Sequence, residues 1–294
     1  MFSCVIGSMM LAGMVAGLPA WEFNADNDLG GWVPNAHIGN LRMGGGEIEG
    51  KCVDWDPFFT LDNVEFPATA WQYVVLRIKT SEGGTGELFW SGQTTGEYGG
   101  LSAEKSTRFS VPDDGQWHDV IIRPFWQKEG AIRKMRLDLD PAWKFTIDYL
   151  RIMERPEQAS SDSVWVFPEG GKEWFCEGAG DDLFAPPLKL DVRNMGWVSV
   201  NMTSDVAGAA SLLWSDAGSF GLQRQNFAVF GDGQPHWYNV ELRARKDWQD
   251  VVALGIRLPK GGKKDKVVLH EVRVSDAMQG PAELFVRYFG CEEG

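Results

Sequence analysis

Apolar and polar residues alternate along many short stretches of this chain, a pattern that predicts β-strands. In YVVLRIK, the apolar Val74, Leu76 and Ile78 alternate with more polar side chains, and HDVIIR and NVELRAR follow the same two-residue period. The DDG and GDG sequences before two of these stretches are typical of tight turns. Strands separated by turns, with no helical period between them, predict an all-β protein built of antiparallel β-sandwiches.

The same blocks occur twice and in the same order, which predicts two tandem copies of one domain. LFWSG contains Trp90 and LLWSD contains Trp214, and YVVLRIKTS pairs with WVSVNMTSD at the same sequence offset. DGQWHDV and DGQPHWYNV share Asp-Gly-Gln followed by a histidine, His118 or His236, which we expect to be structural. A domain-sized duplication accounts for these pairs, because solenoid repeats have periods of only ~20–50 residues.

The repeated blocks also define domain boundaries. We expect one β-sandwich module over residues 21–154, a polar linker over 155–163, and a divergent second module over 164–276. Residues 277–294 contain AELFVRYF, which we interpret as the start of a further domain or a tail. Residues 1–20 are largely apolar and end in GLPA, which predicts a cleaved signal peptide and so a secreted, cell-surface or periplasmic bacterial protein. This segment is short and glycine-rich for a membrane span.

Charge and composition narrow the choice of partner. The 41 acidic and 28 basic residues give a net charge of −13, which repels nucleic acid and anionic membranes unless a local basic patch overrides it. The 14 tryptophans favour a glycan, because flat indole faces stack on the apolar faces of sugar rings. The cysteines show no CxxC spacing, so a Cys52–Cys176 bridge and isolated buried thiols are both compatible with the sequence.

The residues give little support for catalysis. No G-x-S-x-G nucleophile elbow occurs, and HEVRV at His270–Val274 lacks the second histidine of a zinc-binding helix. Carboxylates are numerous enough for a glycosidase pair, but the second copy has no acid in place of Asp138 or Asp140. We expect no catalytic residues here; an unrecognised hydrolase is the alternative, and a glycoside hydrolase domain could follow downstream.

Module 1 has outward-facing polar residues and aromatic residues that suit sugar binding. We expect a carbohydrate-binding set of Trp55, Arg77, Trp90, Trp126, Arg136 and Asp138. Alternation turns the two arginines and the aspartate away from the core, and we expect these three to share one sheet surface with Trp90. Trp55 and Trp126 lie in stretches typical of loops. The alternative is that the tryptophans pack in the core or at its edge and that the charged residues form surface ion pairs.

Several short motifs follow one another between Trp21 and Glu154. They are WEF, GGW, DPFF, LFW, DGQWHDV, MRLDLDP and IDYLRI, of which the last is the most telling. In this order they resemble galactose-binding-like β-sandwich (jelly-roll) modules, similar to the carbohydrate-binding modules of secreted bacterial polysaccharide-degrading enzymes. The second copy, Trp165–Asp276, matches weakly. The resemblance implies non-catalytic binding of a polysaccharide by part of a larger secreted enzyme.

The resemblance also implies a structural calcium ion where the first and last strands of a module meet. Glu22 and Asp148 hold those positions in module 1, with Asp26 nearby, so we expect a calcium site there and none in module 2. The alternative for Asp148 is a hydrogen-bonding role at a strand end. The alternative for the whole chain is a structural spacer or protein-interaction pair of sandwiches without a sugar site.

Overall fold

The structure of the protein is a computed structural model that describes residues 17–167, 174–176, 182–259 and 267–287. In these ranges the chain forms strands, turns and two short 3-10 helices, Glu97–Gly100 and Gln127–Glu129, with no α-helix. The prediction of an all-β protein with antiparallel sheets is confirmed. Within the described residues, no helix is long and apolar enough to cross a membrane.

Two compact units divide the chain; the first ends at Pro156 and the second begins at Glu157. The strands of the first unit are β1 Ala20–Trp21, β2 Trp32–Pro34, β3 Ile38–Gly44, β4 Glu47–Cys52, β5 Phe58–Pro67, β6 Gln72–Thr80, β7 Gly84–Ser91, β8 Ser106–Val111, β9 His118–Ile122, β10 Ala131–Asp138 and β11 Lys144–Glu154. The strands described in the second unit are β12 Val164–Val166, β13 Phe175–Cys176, β14 Asp182–Phe184, β15 Leu190–Asp191, β16 Trp197–Ser204, β17 Gly208–Asp216, β18 Gln223–Val229, β19 Pro235–Glu241, β20 Asp250–Arg257, β21 Val267–Ser275 and β22 Ala282–Arg287.

The first unit is a sandwich of two antiparallel sheets. The β6 sheet has the strand order β3-β4-β11-β6-β9, with β1 also paired to β11, and the β10 sheet has the order β2-β5-β10-β7-β8. Leu76 and Ile78 of β6 lie in one buried cluster with Leu88, Met135 and Leu137 of the β10 sheet, so the core lies between the sheets. Because side chains alternate along a strand, each sheet also has an outer face.

The second unit repeats much of this arrangement. Its sheets have the orders β12-β21-β16-β19-β22 and β13-β14-β20-β17-β18, with β15 paired to β20. The central order β11-β6-β9 of the first unit thus recurs as β21-β16-β19. In the segment for which we expected a further domain or a tail, β22 pairs in parallel with β19 of the second unit.

One pair of tryptophans packs in the core of each unit. Trp90 and Trp126 meet edge to face with ring centroids 6.1 Å apart, and Trp214 and Trp248 meet in the same way at 5.9 Å. All four indoles are buried. Offset and edge-to-face pairs are favourable beyond the apolar area they bury, so the recurrence has a structural cause.

The two histidines that follow the Asp-Gly turns also have equivalent places. His118 Nε2 lies 2.8 Å from Asp114 Oδ1, and His236 Nε2 lies 2.9 Å from Asp232 Oδ1. In both units the ring is hydrogen-bonded to the turn that precedes its strand. This contact agrees with the structural role expected for both histidines.

Cys52 is a free thiol in the core of the first unit. Burial raises the pKa of this thiol to about 12, so it stays protonated at neutral pH. Because Cys52 is a free thiol, it forms no bridge to Cys176 in this structure, and the alternative of an isolated buried thiol applies to it.

Candidate functional site

The structure separates the residues that were expected to form one sugar-binding surface. Trp90 and Trp126 are each 0% exposed, and Trp126 donates a hydrogen bond from Nε1 to Gln72 Oε1 at 2.8 Å. Neither indole offers a face to a ligand. This corrects the expectation that they stack on sugar and agrees with the alternative that Trp90 packs in the core.

Arg77 lies on the opposite outer face of the sandwich from Arg136 and Asp138. Its strand belongs to the β6 sheet, whereas Arg136 and Asp138 lie on β10. Arg77 forms ion pairs with Asp119 at 3.2 Å and with Asp148 at 3.1 Å. The expected single surface is therefore wrong, because alternation shows which side chains face outward but not which of two sheets a strand joins.

The outer face of the β10 sheet contains a charged cluster that we call the arginine clamp: Arg136, Asp138 and Asp56. Arg136 donates from Nε and Nη2 to the two carboxylate oxygens of Asp138, at 2.6 and 2.8 Å, and from Nη2 to Asp56 Oδ1 at 2.9 Å. The three side chains are part-buried. Because the guanidinium is held by two carboxylates, its orientation is set before a ligand arrives.

Two phenylalanines lie beside the guanidinium on this face. Arg136 Cζ is 3.8 Å from the ring centroid of Phe58 on β5 and 5.6 Å from that of Phe89 on β7. The strand register places Phe89 directly opposite Arg136 and Phe58 directly opposite Asp138. Cation–π attraction adds to the ion pairs that hold the guanidinium, so aromatic and charged groups share one surface.

The carboxyl group of Asp138 has a pKa above that of an ordinary aspartate. Burial raises its pKa above the ordinary value, Arg136 lowers it, and the nearby carboxylates Asp56 and Glu87 raise it, with a net increase. Glu87 lies opposite Asp138 on β7 and accepts a hydrogen bond from Ser106 Oγ at 2.6 Å. Acidification therefore protonates Asp138, and weakens its ion pair with Arg136, at a higher pH than for an exposed aspartate.

Trp55 is the predicted aromatic residue that the structure leaves open to solvent. Its side chain is 76% exposed in the loop before β5, with its ring centroid 5.9 Å from that of His37. Asn35 Nδ2 donates to the carbonyl oxygen of Asp56 at 2.7 Å, and Asn35 Oδ1 accepts from the backbone N–H of Phe58 at 3.3 Å. These bonds on the C-terminal side of Trp55 fix the loop that carries the exposed indole.

Tyr98 is a second exposed aromatic residue near this face, and we did not predict it from the sequence. It is 76% exposed in the turn Glu97–Gly100, and its φ of 50° lies in the left-handed region that tyrosine rarely adopts. The turn lies against the β10 sheet, since a Cβ on Gly99 would be 2.8 Å from Lys134 Nζ, which pairs with Asp62 at 2.9 Å. An aromatic residue between glycines, in GEYGG, was the available sequence signal.

Exposed aromatic residues thus lie in two loops near the outer face of the β10 sheet. Trp55 precedes Phe58, which is opposite Asp138, and the Tyr98 turn contacts Lys134. Asp138 and Lys134 are four residues apart on β10, which is roughly 13 Å at the usual rise of a strand. Arg136 of the arginine clamp lies between these two residues, and Asp56 of the clamp is adjacent to Trp55.

Among the described residues, the equivalent sheet of the second unit differs at the position of Arg136. One residue before the core tryptophan, Phe89 faces Arg136 in the first unit, whereas Leu213 faces Gly255 in the second. The ring of Phe184 covers Gly255. A Cβ atom on Gly255 would lie only 2.7 Å from Phe184 Cδ1. Neither a clamp nor an open aromatic platform occurs at this position of the second unit.

Two of the three carboxylates expected to bind calcium are held by arginines. Arg151 donates to both carboxylate oxygens of Glu22, at 2.7 and 2.6 Å, and these hydrogen bonds lower the pKa of Glu22. Asp148 pairs with Arg77 on the β6 sheet, and Asp26 lies near the backbone of residue 44 instead. Within the described residues, no group of three or more potential ligands is arranged for a metal ion. Calcium binding stays a prediction.

Comparison with known proteins gives no family assignment. No protein-family model and no curated protein sequence matches the chain. Among solved structures, it is similar to the N-terminal CBM22-1–CBM22-2 tandem domain of Xyn10C from Paenibacillus barcinonensis, with a TM-score of 0.31 and 12% identity, over 88% of this chain and 97% of that chain. It is also similar to the glycoside hydrolase domain of Endo-D from Streptococcus pneumoniae R6, with a TM-score of 0.31 and 11% identity, over 76% of this chain. The chain spans 36% of that hydrolase domain. Such low scores do not establish a shared function.

Proposed function

We propose that the first unit binds a neutral polysaccharide on the outer face of the β10 sheet, without acting on it chemically. Sugar rings would stack on exposed indole and phenol rings, and their hydroxyl groups would hydrogen-bond to the arginine clamp. A neutral chain suits this face, because the arginine clamp joins one guanidinium to two carboxylates and so adds no positive charge that would attract a polyanion.

The observation that carries this proposal is a preorganised charged cluster with two exposed aromatic residues in neighbouring loops. Trp55 and Tyr98 are each 76% exposed, although burial of large aromatic side chains is favourable. The Tyr98 turn also retains a strained backbone conformation, which is a feature that concentrates at ligand-binding sites. Arg136 and Asp138 supply the polar groups of this surface.

The biological setting belongs to the same proposal. The apolar segment over residues 1–20 suits a secreted bacterial protein, in which the first unit would tether other domains to polysaccharide. The second unit, which lacks the platform, would act as a spacer. A glycoside hydrolase domain would benefit from such a tether, because binding of the first unit to the polysaccharide raises the concentration of substrate near the enzyme.

Affinity electrophoresis of the full chain in gels containing soluble xylan, mixed-linkage glucan, galactomannan or arabinan tests the binding. At least one polymer should retard the protein, and Trp55→Ala should weaken that binding roughly 30-fold, which corresponds to ~2 kcal/mol for loss of a central aromatic contact. Tyr98→Ala should weaken it as well. Calorimetry with the polymer that binds gives the affinities.

Phe230→Ala is the matched control, since Phe230 is an aromatic residue of the second unit that is 43% exposed. It should leave the affinity unchanged. If no glycan retards the protein, and Trp55→Ala and Tyr98→Ala have no effect, the binding proposal is wrong. That result would favour the alternative of a structural spacer or protein-interaction pair.

A further inference from the structure

A second, differently charged surface lies on the opposite side of the first unit. The outer face of the β6 sheet contains an open groove of about 640 Å³ that crosses strands β3, β4, β11 and β6. The polar side chains that line it are Asn40, Arg42, Glu49, Lys51, Lys79, Ser81, Lys144 and Thr146. The groove thus holds four cations and one carboxylate in a protein with a net charge of −13.

The strand register arranges these cations in two rows across the sheet. Arg42 lies opposite Glu49, and Thr146 lies opposite both Glu49 and Lys79, which forms one row. Lys144 lies opposite Lys51 in the second row. The first row crosses three strand spacings, or about 14 Å, so an extended chain of several sugar rings could contact both of its ends.

The four groove cations make no ion pair with the described residues, although like charges are placed side by side. Lys51 and Lys144 are directly opposite each other on adjacent strands, an arrangement that is ordinarily destabilising. Arginines elsewhere in the first unit have carboxylate partners: Arg77, Arg108, Arg133, Arg136 and Arg151. The like-charged pair Lys51 and Lys144 would be stabilised by a negatively charged ligand.

The groove also has an aromatic rim. Lys79 Nζ lies 5.0 Å from the ring centroid of Trp117, and Arg77 Cζ lies 5.3 Å from it on the same face of the sheet. Trp117 follows Gly115, which lines the groove, by two residues. An indole beside cations and hydroxyl groups suits a ligand that has apolar ring faces as well as negative charge.

The groove's remaining polar groups favour a saccharide over a nucleic acid. Glu49 lies in the row between Arg42 and Thr146, where it would repel a continuous phosphate backbone but could accept hydrogen bonds from sugar hydroxyl groups. Asn40 and Thr146 offer further neutral partners.

We propose that this groove binds an anionic saccharide chain, whose carboxylate or sulfate groups pair with Arg42, Lys51, Lys79 and Lys144. This site would bind a different class of ligand from the neutral-polysaccharide site on the β10 sheet, and it lies on a different face of the first unit. The two sites are independent, so either can fail without the other.

Calorimetry of the full chain with polygalacturonate, dextran sulfate and uncharged dextran in low salt tests the proposal. Polygalacturonate or dextran sulfate should bind, dextran should not, and added salt should weaken the binding because exposed ion pairs are screened. The ratio of the two affinities distinguishes a carboxylated from a sulfated ligand. The double variant Lys51→Gln/Lys144→Gln should lose about tenfold in affinity, because it removes two exposed ion pairs with the ligand.

Lys189→Gln/Lys246→Gln is the matched control, because both lysines are exposed in the second unit and the change in net charge is the same. It should retain the affinity of the unmodified chain. Melting temperatures of the variants check that each one folds. The proposal is overturned if neither anionic chain binds, if both lysine pairs weaken binding equally, or if single-stranded DNA binds more tightly than either saccharide.

Discussion

Trp90 is buried and Trp55 is exposed, so replacement by alanine should destabilise the fold at Trp90 and have little effect on stability at Trp55. Trp90 is fully buried against Trp126, so Trp90→Ala should lower the free energy of unfolding by ~3–5 kcal/mol through lost burial and a cavity. Guanidinium unfolding followed by circular dichroism measures this change. Trp55→Ala is the control and should leave the unfolding curve nearly unchanged; equal losses for the two variants would contradict these placements.

The raised pKa of Asp138 gives a pH dependence with a definite sign. The folded pKa exceeds the ordinary value of 3.8, so between the two values the folded state binds more protons than the unfolded chain. The stabilising contribution of Asp138 is fully present below pH 3.8 and is lost as the pH rises through the folded pKa. Asp138→Asn, which cannot titrate, should lack this loss.

Urea unfolding across this pH range compares the protein with Asp138→Asn. The difference between their free energies of unfolding should change as the pH passes the folded pKa and level off above it. A difference that stays constant with pH would show that Asp138 titrates normally.

At the scale of an element, the turn that presents Tyr98 depends on its glycines. Gly99 has φ +66°, and a Cβ there would lie 2.8 Å from Lys134 Nζ. Gly99→Ala should therefore weaken polysaccharide binding and also cost ~1 kcal/mol of stability from the left-handed backbone. Calorimetry and thermal unfolding measure the two effects separately.

Gly130→Ala is a matched control for this turn. Gly130 has a similar φ of +71°, but no atom lies within 4 Å of the position its Cβ would take. It should show the backbone cost and unchanged binding. Equal binding by the Gly99 and Gly130 variants would mean that the Tyr98 turn does not contact the ligand.

At the scale of the whole molecule, two units with similar strand orders have unequal surfaces. Gly255 and Leu213 stand where the first unit has Arg136 and Phe89, and the ring of Phe184 lies over Gly255. One neutral glycan site per chain is therefore expected. Calorimetric titration with a short oligosaccharide of the polymer that binds should give a stoichiometry of one, and a value of two would contradict this asymmetry.

Sequence patterns alone predicted the all-β fold, the repeated blocks and the outward direction of Arg77, Arg136 and Asp138. These features depend on local alternation and on turn residues, which are written in short stretches of chain. The recurrence of Trp90 and Trp214 also pointed to a core role, which the structure bears out.

The sequence patterns did not predict which outward-facing residues share a surface. Alternation along a strand has two states, inward and outward, but a sandwich has two outer faces, and the pairing of distant strands selects between them. Arg77 thus lies on the β6 sheet and Arg136 on the β10 sheet. Trp126 and Trp55 both lie in stretches typical of loops, yet one is buried and the other exposed, because loop burial depends on contacts with residues far away in sequence.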